Sequence, residues 1–142
     1  MDIDIIELKE GHVPVYKHEI DACADCMANL SEDVVIAPRG MVTVPLGFKI
    51  DIPVGFEGFI CSRSGLARNS GITVVDGHID PGFIGEVTAT LINHLDAAFT
   101  IHDGDRVCQL KVEESKKIIF HKVDRLPESE RGENGWGSTG LK

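Results

Sequence analysis

Short apolar runs, interrupted at intervals by glycine or proline, make up most of this 142-residue chain. The runs are rich in β-branched residues, and several alternate apolar with polar positions: 34–36, 41–44, 48–52, 59–61, 72–75, 87–92, 107–112 and 118–120. Short strands separated by turn residues are typical of a β-sandwich or β-barrel. The pattern therefore predicts an all-β fold.

Helical periodicity is almost absent. One short helix fits residues 64–69, with Ser64 as its N-cap and Gly71 as its stop. Large apolar side chains become scarce near the C-terminus. We therefore predict a β domain over residues 1–124, followed by a mobile arm over residues 125–142.

The formal net charge of -9 at pH 7 restricts the partners. Nucleic-acid backbones require a basic protein face, so we expect no nucleic-acid partner. A small phosphorylated ligand is not excluded, because a few arginines helped by a cation are enough to bind it. No apolar run approaches the roughly 20 residues of a membrane span, and the acidic N-terminus does not resemble a signal peptide. We expect a cytoplasmic protein with no membrane partner.

Two of the four cysteines, Cys23 and Cys26, form a Cys-x-x-Cys pair. A structural zinc site needs two further ligands at matching spacing, and the sequence has no second pair. We predict reduced, unligated thiols here, with a metal site shared with His18 as the alternative. Cys61 and Cys108 lie in apolar runs and are predicted to be small core residues.

Four stretches combine glycine with charged or hydroxyl residues beside a strand end, where functional residues concentrate: 62–71, 77–87, 104–110 and 131–140. In the first, Arg63 and the helix start at Ser64 and Gly65 suit an anion. Taken alone, this stretch is better explained as a capped turn with a surface arginine. In the third stretch, 104–110, Gly-Asp-Arg is a common turn, and Gln109 could face either side of the strand that follows.

The second stretch predicts a tight hairpin with bends at Gly77, Gly82 and Gly85. Such a hairpin can admit a flat ring between its strands, and Asp80 held there can orient and deprotonate a water molecule. The alternative is that Asp-Pro-Gly is only turn chemistry.

The last stretch, RGENGWGSTG at 131–140, resembles a phosphate loop but lacks the lysine and the following helix of a Walker A motif. We predict a lid that folds over a ligand. The alternative is a disordered tail.

Taken in order, these stretches resemble four motifs of the trimeric dUTPase family, and the resemblance covers about residues 15–140. RSGLA at 63–67 is similar to the second motif, GDRVCQL at 104–110 to the fourth and the glycine-rich tail to the fifth. GHIDPGFIGEV is similar to the third, usually GVID-x-x-Y-R-GE, with Phe83 in place of tyrosine and Ile84 in place of arginine. The first motif, usually AG-x-DL, is matched poorly by HEIDAC at 18–23, which keeps an acid at Asp21.

The resemblance implies a jelly-roll-like β-sandwich that forms a homotrimer, with the C-terminal arm exchanged between subunits. The implied activity is Mg²⁺-dependent hydrolysis of dUTP to dUMP and pyrophosphate, by in-line attack of water on the α-phosphorus. This activity would keep uracil out of DNA and supply dUMP. Mg²⁺ would be held mainly by the triphosphate, with Asp21 contacting it through water.

The resemblance also assigns roles to residues. Asp80 would activate the water. The substrate phosphates would be held by Arg63, Ser64 and Gly65, and Gln109 would contact the phosphate at the reacting centre. The remaining implied contacts are Gly77 and Ile79 to the uracil edge, Phe83 to the deoxyribose, Trp136 stacked on uracil, and Arg131, Gly137, Ser138 and Thr139 around the γ-phosphate.

Two alternatives remain open. The third motif also resembles that of the dCTP deaminases, so a deaminase or a bifunctional dCTP/dUTP enzyme is one. Thr90 stands where those enzymes carry a catalytic glutamate, and a hydroxyl does not shuttle protons as a carboxylate does. The other alternative is a dUTP-sensing regulatory protein that binds a protein partner.

Overall fold

The computed structural model describes residues 1–133. This range contains short β-strands and one short helix, which confirms the all-β prediction. The elements are β1 Ile5–Glu7, β2 Ala24–Met27, β3 Val34–Ile36, β4 Met41–Pro45, β5 Phe48–Ile50, β6 Phe56–Cys61, α1 Ser64–Ser70, β7 Ile72–Val74, β8 Gly77–Ile79, β9 Thr88–Asn93, β10 Phe99–Ile101 and β11 Arg106–Glu114. No helix in this range is long and apolar enough to span a bilayer.

The strands pair antiparallel in a jelly-roll-like sandwich. One sheet has the order β2-β11-β6-β8, a second has the order β4-β9-β7, and β1-β5 and β3-β10 form two-stranded sheets. Most pairs join strands that are distant in sequence. The pairing is therefore set by long-range packing more than by local hairpins.

Inward-facing apolar residues of all these sheets form one core. Phe48, Leu46, Ile60 and Leu91 are among its largest fully buried side chains. Burying each contributes about 1.5–3 kcal/mol. Because strand residues alternate between faces, Cys108 and Leu110 on β11 point into this core, while the intervening Gln109 is directed to the outer face. The functional side chains described below lie on that outer face and at the edge strand β8.

The predicted helix is present, but its cap differs from the expectation. Ser64 is the first helical residue, Arg63 is the N-cap, and no side chain caps the first turn. Gly71 ends the helix as predicted, with φ 61° and its N–H donating to the carbonyls of Leu66 and Ala67. The left-handed conformation at the end of a helix is adopted most easily by glycine, which has no Cβ.

The predicted strand at 118–120 is wrong. Within residues 1–133 regular structure ends at Glu114, and Ile118, Ile119 and Phe120 are exposed. These three apolar residues have no partner strand among residues 1–133, and an isolated strand does not persist in water.

Candidate active site

A cavity of about 260 Å³ opens between β8 and the start of β9. Its lining combines residues of the third motif with apolar and polar neighbours, namely Ile60, Val75, Asp76, Gly77, His78, Ile79, Asp80, Phe83, Glu86, Val87, Thr88, Ala89 and Thr90. The predicted hairpin is wrong in one respect, because β8 pairs with β6, whereas β9 pairs with β4 and β7. The two arms belong to different sheets, and the gap between the sheets forms the cavity. Within residues 1–133, β8 is an edge strand, so its outer backbone groups face this gap and can read the edge of a flat ring.

A turn over residues 80–83 lies at the mouth of this cavity. The Phe83 N–H donates to the Asp80 carbonyl over 3.1 Å, and Gly82 has a φ of 83°. Proline at the second position and a left-handed glycine at the third are what a type II turn requires. The turn leaves the Asp80 carboxylate exposed at the cavity mouth, where it can reach solvent water.

The ring of Phe83 covers part of the mouth and packs over Gly85. A Cβ at position 85 would lie 2.6 Å from Cζ of Phe83, so the ring position depends on glycine there. Glu86 fastens the loop: its Oε1 accepts from the Gly47 N–H over 2.9 Å and from Asn29 Nδ2 over 3.2 Å. The cavity wall is therefore held from the turn between β4 and β5.

A second, polar pocket of about 440 Å³ lies on the outer face beside β2 and β11. Its lining residues are Lys17, His18, Asp21, Ala22, Cys23, Asp25, Arg63, Arg106 and Gln109. It combines three cationic side chains with two carboxylates, in a chain whose net charge is -9. Forked guanidinium groups in a concave polar site suit phosphate oxygens.

Asp25 is the centre of this pocket. Its Oδ1 accepts from Arg63 Nε over 3.1 Å and from Gln109 Nε2 over 3.0 Å, and its Oδ2 accepts from Arg106 Nη1 over 3.3 Å. Its side chain is only 11% exposed. Arg63 Nη1 also donates to the Arg106 carbonyl over 2.8 Å. These bonds fix the directions of the two arginines and the glutamine.

Sequence reasoning placed the acid of the first motif on Asp21 and missed Asp25. Asp21 lies at the pocket but its carboxylate accepts the backbone N–H of His18, within its own turn. The family pattern AG-x-DL fits Ala22–Cys26 position by position, with cysteine replacing glycine and leucine, and this alignment puts the acid at Asp25. The signal was present, but the two cysteines obscured it.

The predicted residues fall into two groups that the single chain does not bring together. Gly77, Ile79, Asp80 and Phe83 lie at the ring-sized cavity, and Asp21, Arg63 and Gln109 line the polar pocket. β11 and β6 separate β2 from β8, which puts the two edges about 14 Å apart at ordinary strand spacing.

Ser64 and Gly65 follow Arg63 in the first turn of α1 and are exposed. A Cβ on Gly65 would meet no atom within 4 Å, so a ligand has open access to the backbone here. Arg131 lies in an exposed turn near the end of the described range. Trp136, Gly137, Ser138 and Thr139 lie outside the described residues.

The thiols are free, and residues 1–133 contain no group of three His, Cys, Asp or Glu side chains able to hold a metal ion. The metal alternative for Cys23 and Cys26 is therefore not supported within this range. Cys108 is a core residue as predicted, whereas Cys61 is partly exposed and the core prediction for it is wrong.

A cavity that fits a flat ring and a separate arginine-rich pocket that fits phosphates define a nucleotide-binding protein on an all-β scaffold. A model of the dUTPase family matches residues 9–140. The deoxyuridine 5'-triphosphate nucleotidohydrolase of Leifsonia xyli is 41% identical over 143 residues, covering 99% of this chain and 91% of the relative. The enzyme of the same name from Thermobifida fusca is 42% identical over 131 residues, covering 90% and 72%. The chain belongs to the dUTPase family.

Solved structures share the fold. A dUTPase variant of Staphylococcus bacteriophage 80alpha, with dUpNHpp, has a TM-score of 0.89 at 22% identity, covering 99% of both chains. A dUTPase variant of phage phi11 of S. aureus, described with a structural Mg(II) ion, has a TM-score of 0.80 at 21% identity, covering 90% of this chain and all of that one.

Proposed function

We propose that this dUTP diphosphatase hydrolyses dUTP to dUMP and pyrophosphate with Asp80 as the base that activates water. The observation that carries the proposal is the position of Asp80, exposed on a fixed turn at the mouth of a ring-sized cavity. Uracil bound in that cavity would put its sugar and α-phosphate near the turn. A carboxylate at that point orients a water molecule and accepts its proton during in-line attack.

The polar pocket is proposed to hold the triphosphate. Arg63 and Gln109 contact phosphate oxygens, with backbone groups of Ser64 and Gly65 beside them. Asp25 acts as a positioning residue, because it accepts hydrogen bonds from Arg63 and Gln109 and so fixes their geometry before substrate arrives.

The pocket also fits Mg²⁺. It contains two carboxylates, and Mg²⁺ is bound through one or two carboxylates together with substrate phosphates and its own waters. The Asp25 oxygens are already engaged, so Asp21 is proposed to contact the water shell, with the triphosphate holding the ion. When bound, the ion neutralises charge on the phosphates.

The separation of the two half-sites supports a homotrimer. The cavity and the polar pocket of one chain lie at opposite edges of one sheet, so each can combine with the complementary half-site of a neighbouring subunit. A cyclic trimer brings the cavity of one subunit to the polar pocket of the next and repeats this three times. The C-terminal arm, including Arg131, is proposed to close over the phosphates of the completed site.

Substitution of Asp80 by asparagine tests the proposed base. The variant should keep its KM for dUTP within about threefold and lose about 1000-fold in kcat, which lies within the usual contribution of a general base. Pyrophosphate release measures both. Undiminished kcat would show that Asp80 is not the base.

Mixed assembly tests the shared site. Asp80→Asn and Arg63→Ala should each be inactive alone, since each lacks one half-site. If sites form between subunits, co-expression of both chains should restore about a quarter of wild-type activity, because random assembly pairs two intact halves at that frequency. If each site lies within one chain, the mixture stays inactive.

A product assay with dUTP, dCTP, dTTP and UTP in parallel separates hydrolysis from deamination. Thr90 lies on the cavity wall, where its hydroxyl is hydrogen-bonded to that of Thr43 over 2.7 Å. We expect dUMP from dUTP and no ammonia from dCTP. Ammonia release would restore the deaminase alternative.

A further inference from the structure

Two partly exposed thiols lie side by side at the edge of the polar pocket. The Sγ atoms of Cys23 and Cys61 are 3.9 Å apart, and neither is part of a disulfide. Cys23 also lines the pocket that contains Asp25, Arg63 and Gln109. The mechanism above uses neither thiol.

The two cysteines differ in how firmly they are held. Cys61 is the last residue of β6 and pairs with Gln109 on β11, inside the four-stranded sheet. Cys23 lies in a bend immediately before β2, at the end of the pocket-lining segment 17–23. If the two sulfurs approach each other, the bend moves and the sheet does not.

We propose that Cys23 and Cys61 are a reversible oxidation site, and that their disulfide draws segment 17–23 toward β6, distorts the polar pocket and slows turnover. The bond would shorten the Sγ–Sγ distance from 3.9 Å to about 2.05 Å. Displacement of roughly 1 Å in groups that position a substrate can cost about 100-fold in rate.

The oxidant is a small disulfide such as oxidised glutathione. One cysteine thiolate attacks it and releases one glutathione thiolate, which leaves a mixed disulfide on the protein. The second cysteine loses its proton, attacks the protein sulfur and releases the second glutathione. Two protein thiols are oxidised, one glutathione disulfide is reduced to two thiols, and two protons leave the cysteines.

The chemical environment distinguishes the pair Cys23 and Cys61 from the buried pair Cys26 and Cys108. Burial, followed by the adjacent Cys23 thiol, raises the pKa of Cys61 to about 11, so little of this thiol is thiolate at neutral pH, and its attack on the mixed disulfide accelerates as pH rises. Cys26 and Cys108 face each other on β2 and β11 but are fully buried. The Cys108 thiol and burial raise the pKa of Cys26, which disfavours its attack on an oxidant.

The experiment treats reduced full-length protein with oxidised glutathione, maps disulfides by mass spectrometry of unreduced peptides, and follows pyrophosphate release from dUTP. We expect a Cys23–Cys61 link, a loss of at least about tenfold in kcat/KM, and recovery with dithiothreitol. Cys61→Ala should keep the starting activity, form no protein disulfide at Cys23 and lose less activity than the wild type at the same concentration of oxidised glutathione. The matched control Cys108→Ala should remain sensitive.

Several outcomes would overturn the proposal: no Cys23–Cys61 link, a link only between Cys26 and Cys108, a link without loss of activity, or equal sensitivity in Cys61→Ala. The rate effect rests on the proposed function, but the two can fail separately. Failure of the proposed function appears as reduced protein that does not hydrolyse dUTP, whereas peptide mapping tests the oxidation site without reference to activity.

Discussion

Substituting Asp25 by asparagine should damage both stability and catalysis, because one carboxylate organises the whole polar pocket. Arg63 Nε and Gln109 Nε2 donate to Oδ1, and Arg106 Nη1 donates to Oδ2. An asparagine has one oxygen and one NH₂ group at these positions. The best orientation keeps the oxygen toward Arg63 and Gln109 and points the NH₂ group at the Arg106 guanidinium, donor against donor.

The magnitude follows from burial. Hydrogen bonds to a charged group contribute about 1.5–3 kcal/mol each, and removing one partner of a buried ion pair costs about 3–5 kcal/mol. The Asp25 side chain is 11% exposed, but Arg63 and Arg106 are 27% and 45% exposed, so solvent screening reduces these values. We expect the free energy of unfolding to fall by about 2–3 kcal/mol, which lowers Tm by about 4–12 °C for a chain of this size.

The catalytic effect should be larger than the loss of stability explains. Arg63 and Gln109 lose the anionic partner that directs them, so kcat/KM for dUTP should fall about 100-fold, equivalent to about 2.7 kcal/mol of transition-state stabilisation. Pyrophosphate release well below the variant's Tm measures this loss, and thermal unfolding at fixed protein concentration gives Tm.

Asp21→Asn is the matched control. Asp21 lies in the same pocket, but among the contacts described above its carboxylate accepts only from the His18 N–H of its own turn and does not orient Arg63 or Gln109. We therefore expect a loss below about fivefold, or about 1 kcal/mol of transition-state stabilisation. If Asp21→Asn proves the more damaging change, or if Asp25→Asn keeps wild-type kcat/KM, the assignment of Asp25 as the organising acid is wrong.

Three further predictions concern other parts of the molecule. Gly85→Ala puts a Cβ 2.6 Å from Cζ of Phe83, so the phenyl ring must move away from the cavity mouth. The kcat/KM for dUTP should fall about tenfold with little change in Tm. Unchanged kinetics would show that Phe83 is not part of the site. Asn93 is 1% exposed, and its Nδ2 donates to three backbone carbonyls. Asn93→Ala should therefore lower the free energy of unfolding, measured by denaturant titration, by about 3 kcal/mol while kcat stays normal. A stability loss within experimental error would contradict this. The Asp33 carboxylate raises the pKa of His102 above its ordinary 6.5, so the stabilisation of the fold by this ion pair is present below about pH 6.5 and is lost as pH rises through the raised pKa. Asp33→Asn should lower the titration midpoint of His102 measured by NMR. An unmoved midpoint would exclude the ion pair in solution.

Much of the fold was predictable from the sequence, because the residue pattern of a strand is visible within a few consecutive positions. Runs such as 41–44 and 107–112 carry alternation and turn residues that report a half-buried strand directly. The short strands β1, β2 and β10 were missed, since runs of three or four residues contain little pattern and become strands only through their partners. The run at 118–120 failed for the opposite reason, because it has strand-like residues and no partner within residues 1–133.

The sequence by itself determined the all-β class, the short helix ended by Gly71, the Asp-Pro-Gly turn and the family, since these depend on residue type and spacing along the chain. Tertiary structure decided that the third motif spans two sheets and forms a cavity, that Asp25 joins Arg63, Arg106 and Gln109, and that ring and phosphate pockets lie on opposite edges of one chain. These features depend on strand register and sheet order, which bring residues about 40 to 80 positions apart into contact through packing of the whole core. No local pattern encodes that geometry.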